Sequence, residues 1–521
     1  MQSTTGNEQE EGWIRKVSPD MVPPSLNDNT ADVDRLLKGI RKILPEHEII
    51  LDFSLAKELP GILRKHDYQV EAVLYENHGR FHLSGVFSPS ANTPLYGLAV
   101  DLGSSTVVVR FLNISTHETV DETSFHNPQI KIGPDILTRI HYAGREGGLQ
   151  ELQTLVRDRL NREVHSLCWK HSIDPMEITG MAVAGNTTMT HLFLALDPYW
   201  LCREPYIPAL NSPPLIKAHE LGLGILPGAP VLVFPNVGSY FGGDLIAGIL
   251  ASGMNRREEI SLLVDVGTNA EVVIGNRDWL MACAGAAGPA LEGGVANMGM
   301  MAGPGVIDKV SIDPDTREFR IRTIDNKPPV GICGSGLIDL VAQLFLTGMI
   351  DMRGKFVRRA CGDLLREKDG ISELVVVDQE KSGTGEPLTL AQTDIDGLVR
   401  SKAAMFTILT TITNTVGVSF DGIGQFFISG TFGSYIDPRS AITIGMIPDL
   451  PLETYVPLGN TSLQGATLGL LSAKSRESIF RIRDQITYLE LNVNQEFMNL
   501  FSAAKFIPHT DKSIFPSVRP Y

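Results

Sequence analysis

The sequence of 521 residues predicts an α/β protein made of two similar halves behind a small α+β module. Three observations carry that prediction. A strand, a glycine turn and a second strand bearing an aspartate, LYGLAVDLGSSTVVVRFLN (Leu95 to Asn113), recur a domain's length later as SLLVDVGTNAEVVIG (Ser261 to Gly275). Helical patterns alternate with short apolar strands through both halves. A late strand again runs into a glycine turn, in FFISGTFGSYI (Phe426 to Ile436).

The paired hairpins carry the chemistry. In the first, Asp101 ends a strand before Gly103, Ser104 and Ser105. A glycine turn lets backbone N–H groups approach a phosphate without a Cβ in the way, and the hydroxyls of Ser104, Ser105 and Thr106 add donors. A carboxylate beside phosphate is tolerable with a divalent cation between them. One D-x-G-S-S is a weak signal, common to many hairpins. The second copy, with Asp265, Gly267 and Thr268, raises it: duplicated halves would grip one phosphate chain.

Composition bounds the rest. A chain of this length holds about three domains, and 43% hydrophobic residues are ample for cores. The net charge of −15 argues against nucleic acid as the main partner. The five cysteines, Cys168, Cys202, Cys283, Cys333 and Cys361, contain no C-x-x-C, so the spacing draws neither a zinc site nor an iron–sulfur loop. They read as reduced, mostly buried thiols. The polar amino terminus is no signal peptide, and no apolar run reaches spanning length. The expectation is a cytoplasmic protein with no membrane contact.

Taken in order, residues 1–28 read as a flexible tail and 29–92 as a small α+β middle domain. In that domain, helices span Asp32 to Leu44 and Ser54 to Lys65, and two strands flank Asn77-His78-Gly79. The first half occupies 93–259. It includes Asp135 opening a helix, a long helix over Leu149 to His171, and a strand over Ile178 to Ala184. Gly185-Asn186-Thr187-Thr188 then starts a helix, as an anion site or a plain cap. Asp244 opens the helix before the second hairpin. The second half, with a C-terminal extension, occupies 260–521. It includes a glycine-dense segment from Cys283 to Gly305, the helix opened by GICGSG, a charged irregular insertion over 353–390, and a long helix over Thr393 to Gly417. The end of the chain, FIPHTDKSIFPSV, reads as ordered and packed.

Such hairpins, intervening helices and late glycine turns fit two RNase-H-like halves closing on a nucleotide. The segments LYGLAVDLGSSTVVVRFLN, NPQIKIGPDILTRI, AGNTTM, PNVGSYFGGDLIAG, LLVDVGTNAEVV, AAGPALEGG, GICGSGLID and FFISGTFGSYIDP resemble the ASKHA-type (actin/Hsp70/sugar-kinase-like) ATPase domain of reductive activators of corrinoid proteins. The preceding module resembles the family too, so the likeness runs from about residue 17 onward. It implies ATP hydrolysis, with Mg²⁺, coupled to reduction of a Co(II) corrinoid to Co(I). The family typically carries an N-terminal [2Fe–2S] ferredoxin-like unit. No four-cysteine loop occurs in this sequence, so the expectation is no iron–sulfur cluster in this chain and a separate electron-donor protein. A corrinoid protein is the expected partner, and a homodimer is left open.

The resemblance also implies roles for residues. Asp101, Gly103, Ser104, Ser105 and Thr106, with Asp265, Gly267, Thr268 and Asn269, would hold the phosphates. Asp101 and Asp265 would position Mg²⁺ through its waters. Asp244 matches the carboxylate that orients attacking water, with an ordinary helix cap as the alternative. Gly334-Ser335-Gly336 and Gly430-Thr431-Phe432-Gly433 would flank the adenosine. The family pattern has glycine where Thr431 and Ala270 stand, and a positive φ at either would cost about 1 kcal/mol or more. Glu292 is either a further polar contact or a surface residue. Met298, Met300 and Met301 read as core or as a partner surface. Two other functions share these motifs: a small-molecule kinase of the same fold, and a nucleotide-dependent binding or assembly protein without a redox role.

Overall fold

The computed structural model describes residues 12–89, 94–266, 270–285, 296–430, 435–491 and 495–520. Two compact units emerge, one from the chain up to Ala251 with Ser462–Asp484, the other from Ser252–Thr461 with Gln485 onward.

The first unit opens with a four-stranded sheet of β1 (Ile14–Val17), β2 (Ile49–Ile50), β3 (Glu71–Asn77) and β4 (Arg80–Phe87), in the order β1-β3-β4-β2. Helices α1 (Asp32–Ile43) and α2 (Phe53–Lys65) accompany it. In α1 the buried Leu36, Gly39 and Ile40 fall on one face, with Asp32 and Asp34 in the first turn and Arg41 and Lys42 in the last. That spacing and charge order favour a helix docked along one stripe. The apolar face joins a core with Leu59, Leu63, Leu74 and Phe81.

The tail expected over 1–28 is corrected by this sheet from residue 12 onward, residues 1–11 lying outside the described residues. Ile14–Val17 pairs antiparallel with Ala72–Tyr75. Trp13 is fully buried and its Nε1 donates to the carbonyl of Gly469, 3.0 Å away. The strand is short and its partner lies far along the chain, which is why its sequence looks like a linker.

The second sheet of this unit holds the first hairpin. Its strands are β5 (Tyr96–Leu102), β6 (Thr106–Asn113), β7 (Glu118–His126), β8 (Ile178–Gly185), β9 (Ile216–Lys217) and β10 (Pro230–Val233), in the order β7-β6-β5-β8-β10-β9. Strands β5, β8 and β10 run parallel. Helices α3 (Ile136–Ala143), α4 (Gly148–His171), α5 (Thr187–Phe193) and α6 (Gly243–Ser252) connect them. Leu152, Val156, Leu160, Val164 and Leu167 of α4 form a helical stripe that packs on Leu98, Val100 and Val183. The helices within 462–484 belong to this unit, not to the second half where the sequence reading placed them.

The second unit repeats the pattern with β11 (Ser261–Val266), β12 (Ala270–Gly275) and β13 (Leu280–Gly285). Two small sheets follow: β14 (Val306–Ile312), β15 (Phe319–Thr323) and β16 (Gly331–Ile332), then β17 (Leu365–Lys368), β18 (Ile371–Val377) and β19 (Leu388–Ala391). Strands β20 (Gln425–Ser429), β21 (Tyr455–Gly459) and β22 (Ile486–Tyr488) complete the main sheet, ordered β21-β20-β11-β12-β13-β22. Helices α7 (Gly334–Leu346), α8 (Arg358–Cys361) and α9 (Gln392–Thr415) join these parts. The insertion read as irregular over 353–390 thus contains α8 and the strands β17, β18 and the start of β19. The exposed charges of LREK in β17 hide the period-two signal.

The two main sheets are twins. In each, three antiparallel strands begin with an Asp-bearing hairpin, and two further strands run parallel to its first strand: β10-β8-β5-β6-β7 and β21-β20-β11-β12-β13.

Candidate functional site

The first half-site sits at one end of the parallel strands β5 and β8. Register puts Asp101 opposite Ala184 and Leu102 opposite Gly185, so the aspartate and the Gly185-Asn186 turn end together. Gly103 begins the hairpin turn. A Cβ there would lie 2.3 Å from the Thr106 carbonyl oxygen, so only glycine fits. Asn127, just past β7, braces the turn: its Nδ2 donates to the Gly103 carbonyl (2.9 Å) and its backbone N–H to the Ser105 carbonyl (2.9 Å). Ser105 is exposed, and Asp101, Ser104 and Thr106 are half-buried. The polar side chains of the turn can therefore be reached by a ligand.

Asp244 joins the same end. It is the second residue of α6, in the first turn rather than at the cap, and its Oδ1 accepts from the Leu245 N–H at 2.9 Å. The loop before it presses on the end of β8: a Cβ on Gly242 would lie 2.4 Å from Asn186 Cα and 2.8 Å from the Gly185 carbonyl oxygen. Asp101, the hairpin turn and Asp244 therefore gather around one strand end, where ligands of parallel α/β sheets bind. Asn186 caps α5, its Oδ1 accepting from the Met189 N–H (2.9 Å). That is the plainer of the two readings of Gly-Asn-Thr-Thr.

The second half-site repeats the register. Asp265 pairs with Ser429 of β20 and Glu271 of β12. Gly430 follows with φ +85°, and a Cβ there would stand 2.9 Å from Asp265 Oδ1. Burial pushes the Asp265 carboxyl above its ordinary range, and a hydrogen bond with Ser429 opposes the shift. Ala270 lies within β12 opposite Val266 and is buried. Gly267, Thr268, Asn269, Glu292, Thr431, Phe432 and Gly433 lie outside the described residues.

Gly334, Ser335 and Gly336 form the buried first turn of α7. The Cys333 thiol lies 3.2 Å from the Ser335 hydroxyl and donates to the Ile307 carbonyl at 3.3 Å. A Cβ on Gly336 would come 2.5 Å from the same Ile307 oxygen. Close packing on β14 thus already explains this glycine. Further along α7, Asp339 hydrogen-bonds Ser440, which ties the helix to the segment after the Gly430 turn. Of the three methionines, Met298 joins the core, while Met300 and Met301 are exposed. Cys168, Cys283, Cys333 and Cys361 are buried and Cys202 is half-buried, all as free thiols.

The residues fit Mg²⁺ and a phosphate chain. The Asp101 and Asp265 ends offer carboxylates and hydroxyls, the hard oxygen donors that Mg²⁺ and its waters favour. At Gly103 and Gly430 the missing Cβ lets the chain close tightly, on the Thr106 carbonyl oxygen in one case and on Asp265 Oδ1 in the other. Asp265 is half-buried, and its partly desolvated carboxylate is one that a cation would relieve. Sequence reasoning missed the bracing layer of Asn127, Gln129 and Arg139. Their segment was among those carrying the family resemblance, but nothing in its pattern signals burial.

Comparison with known proteins completes the description. The chain matches the C-terminal domain of RACo, described as the ASKHA domain, over residues 259–519, the RACo middle region over 96–257 and the RACo linker region over 12–92. It belongs to the RACo family. Across 92% of this chain and 80% of the relative, it is 30% identical to the corrinoid activation enzyme RamQ of Eubacterium limosum. It is 23% identical to the [Co(II) methylated amine-specific corrinoid protein] reductase of Methanosarcina barkeri, over 78% of this chain and 76% of that protein. Among solved structures, a reductive activator for corrinoid, iron–sulfur protein superposes with a TM-score of 0.88 and 37% identity, covering 99% of this chain and 82% of the other. The twin sheets are therefore the ASKHA fold. No helix among the described residues is long and apolar enough to cross a membrane.

Proposed function

We propose that this RACo-family chain binds and hydrolyses ATP to activate a corrinoid protein, supporting reduction of its Co(II) to Co(I) by a separate electron donor. The observation that carries the reading is the pair of Asp-bearing hairpins on twin sheets, with the tight Gly103 turn after the strand of Asp101 and Gly430 packed beside Asp265. The relatives named for corrinoid activation or reduction support the substrate class.

Gly103, Ser104, Ser105 and Thr106, with Gly267, Thr268 and Asn269, are the residues we assign to the phosphates. Gly334 to Gly336 and Gly430 to Gly433 serve the adenosine. Asp101 and Asp265 hold Mg²⁺ through its waters, and the bound ion neutralises phosphate charge. Asp244, near the Asp101 end but not needed as a metal ligand, orients the attacking water. The cobalt belongs to the partner and is substrate. A separate donor is supported by the cysteines, which stand on unlike elements: Cys168 in α4, Cys283 in β13, Cys333 before α7 and Cys361 ending α8. Iron–sulfur ligation needs clustered thiolates. We place the protein in the cytoplasm.

Calorimetry with Mg-ATP and with a non-hydrolysable analogue tests the reading. Both are expected to bind, and phosphate release is expected without any added acceptor, unlike a kinase. Failure of both nucleotides to bind at millimolar concentration would remove the ATPase reading.

A further inference from the structure

Behind the first hairpin lies a buried cation that the proposed chemistry has not used. Arg139, on α3, is fully buried. Its Nε donates to the Gly133 carbonyl (2.9 Å), and its Nη1 to Gln129 Oε1 (3.4 Å) and Met189 Sδ (3.3 Å). Its Nη2 is buried with no hydrogen-bond partner among the described residues. A guanidinium keeps its proton in proteins, so this is a full positive charge out of water. Its acceptors are a carbonyl, an amide and a thioether, all neutral. The acidic side chain nearest in sequence, Asp135, caps α3, accepting from the Thr138 N–H (2.8 Å) and hydroxyl (2.7 Å).

The position of this charge is informative. Met189 Sδ, which Arg139 touches, also receives Asn127 Nδ2 at 3.8 Å, and that same amide holds the Gly103 carbonyl. Gln129, the other side-chain partner, donates its backbone N–H to Asn127 Oδ1 at 3.0 Å. Arg139 thus lies one layer of side chains behind the Gly103–Ser105 turn. An uncompensated buried charge is costly. Asp135 offsets part of this charge from a distance, and an anion arriving at the turn would add further counter-charge, through a medium that neither water nor salt screens well.

We propose that Arg139 is a positioning residue of the nucleotide site, a buried positive charge behind the Gly103–Ser105 turn that favours a polyphosphate there. It acts without touching the ligand, through its charge and through the Asn127 brace. This inference rests on the ATP-binding reading and adds to it the source of triphosphate preference in the first unit.

The test measures binding of Mg-ATP and of adenosine to the full chain, by calorimetry, for wild type, Arg139→Met and Arg139→Lys. Arg139→Met is expected to weaken Mg-ATP on the order of tenfold and to leave adenosine within about twofold, where the packing is kept and only the charge is lost. Hydrolysis should show KM raised with little change in kcat, the mark of lost uniform binding. Arg139→Lys keeps the charge and should keep most of the ATP preference. If Arg139→Met does not fold, Arg139→Gln takes its place: a loss confined to Mg-ATP supports the charge, and equal losses or none overturn it. Equal losses for ATP and adenosine, or none for either, overturn the inference while leaving the ATPase reading intact. Absence of ATP binding by the wild type overturns both.

Discussion

At the scale of single residues, the site is a set of side chains whose environments differ in a useful way. Asp244 stands in the first turn of α6 beside the end of β8, whereas Asp101 and Asp265 end the hairpin strands. A carboxylate that orients water acts mainly on the transition state. Asp244→Asn is therefore expected to lower kcat by about a hundredfold or more while Mg-ATP still binds. Asp265→Asn should weaken Mg-ATP binding itself. Wild-type hydrolysis by Asp244→Asn would reduce Asp244 to a structural role. A second buried charge, Lys402, tests the electrostatics away from the site. Its Nζ donates to the carbonyls of Phe506 (2.6 Å) and Pro508 (2.6 Å), and burial pushes its pKa down to about 7. The unfolded chain keeps that proton to about pH 10.4, so between these values the unfolded state binds more protons and stability rises with pH. The carbonyls favour the ammonium and narrow the window from below. The melting temperature of wild type relative to Lys402→Met should therefore climb from pH 7.5 to about 10; a flat difference would show Lys402 charged throughout. The hairpin residues were legible because β-branched alternation and a glycine turn are local signals. Arg139, Asn127 and Lys402 were not, because nothing local marks a polar residue that tertiary packing buries.

At the scale of elements, the same contrast separates what the sequence reveals from what it conceals. The hairpin β5–β6 and the helices α4 and α9 follow from their own periodicity, as does the helix cap at Asp135. Strand β1 does not: four residues, IRKV, pair with β3 across some sixty residues of chain, and their pairing is visible only once the sheet exists. Its anchor is Trp13, fully buried, bonded to the Gly469 carbonyl and stacked under Arg476 at 4.6 Å. Trp13→Ala should cost about 3–5 kcal/mol of stability and expose the amino-terminal strand, read as faster proteolysis before β2. Unchanged melting and cleavage would mean the strand contributes little. At Gly430 the backbone has φ +85°, with room for no Cβ beside Asp265. Gly430→Ala should therefore weaken nucleotide binding more than it lowers the melting temperature.

At the scale of the whole molecule, the question is where the electron comes from. Reduction of Co(II) requires a low-potential donor, and the side chains of this sequence provide none. Its four buried cysteines are distributed over both units, on elements with different neighbours. Their thiols at Cys168 and Cys361 are pushed up to about 11 by burial, far from the thiolate that ligates iron. Under the proposed function, the role of this chain would be to change the cobalt's surroundings. A state favoured by ATP can shift the cobalt equilibrium only through differential affinity for the partner's two forms, for example by drawing a ligand away from cobalt. The isolated protein is accordingly expected to be colourless and free of stoichiometric iron. Mixed with a corrinoid protein, Mg-ATP and a low-potential reductant, it should generate Co(I), followed by absorbance, in a manner that needs both ATP and the reductant. The Asp244→Asn protein separates binding from turnover in the same cuvette: a single round of Co(I) formation without repeated cycling would show that occupancy drives the shift and hydrolysis resets it. Co(I) formed with no external donor, or iron at one cluster per chain, would show instead that this chain carries its own electron relay.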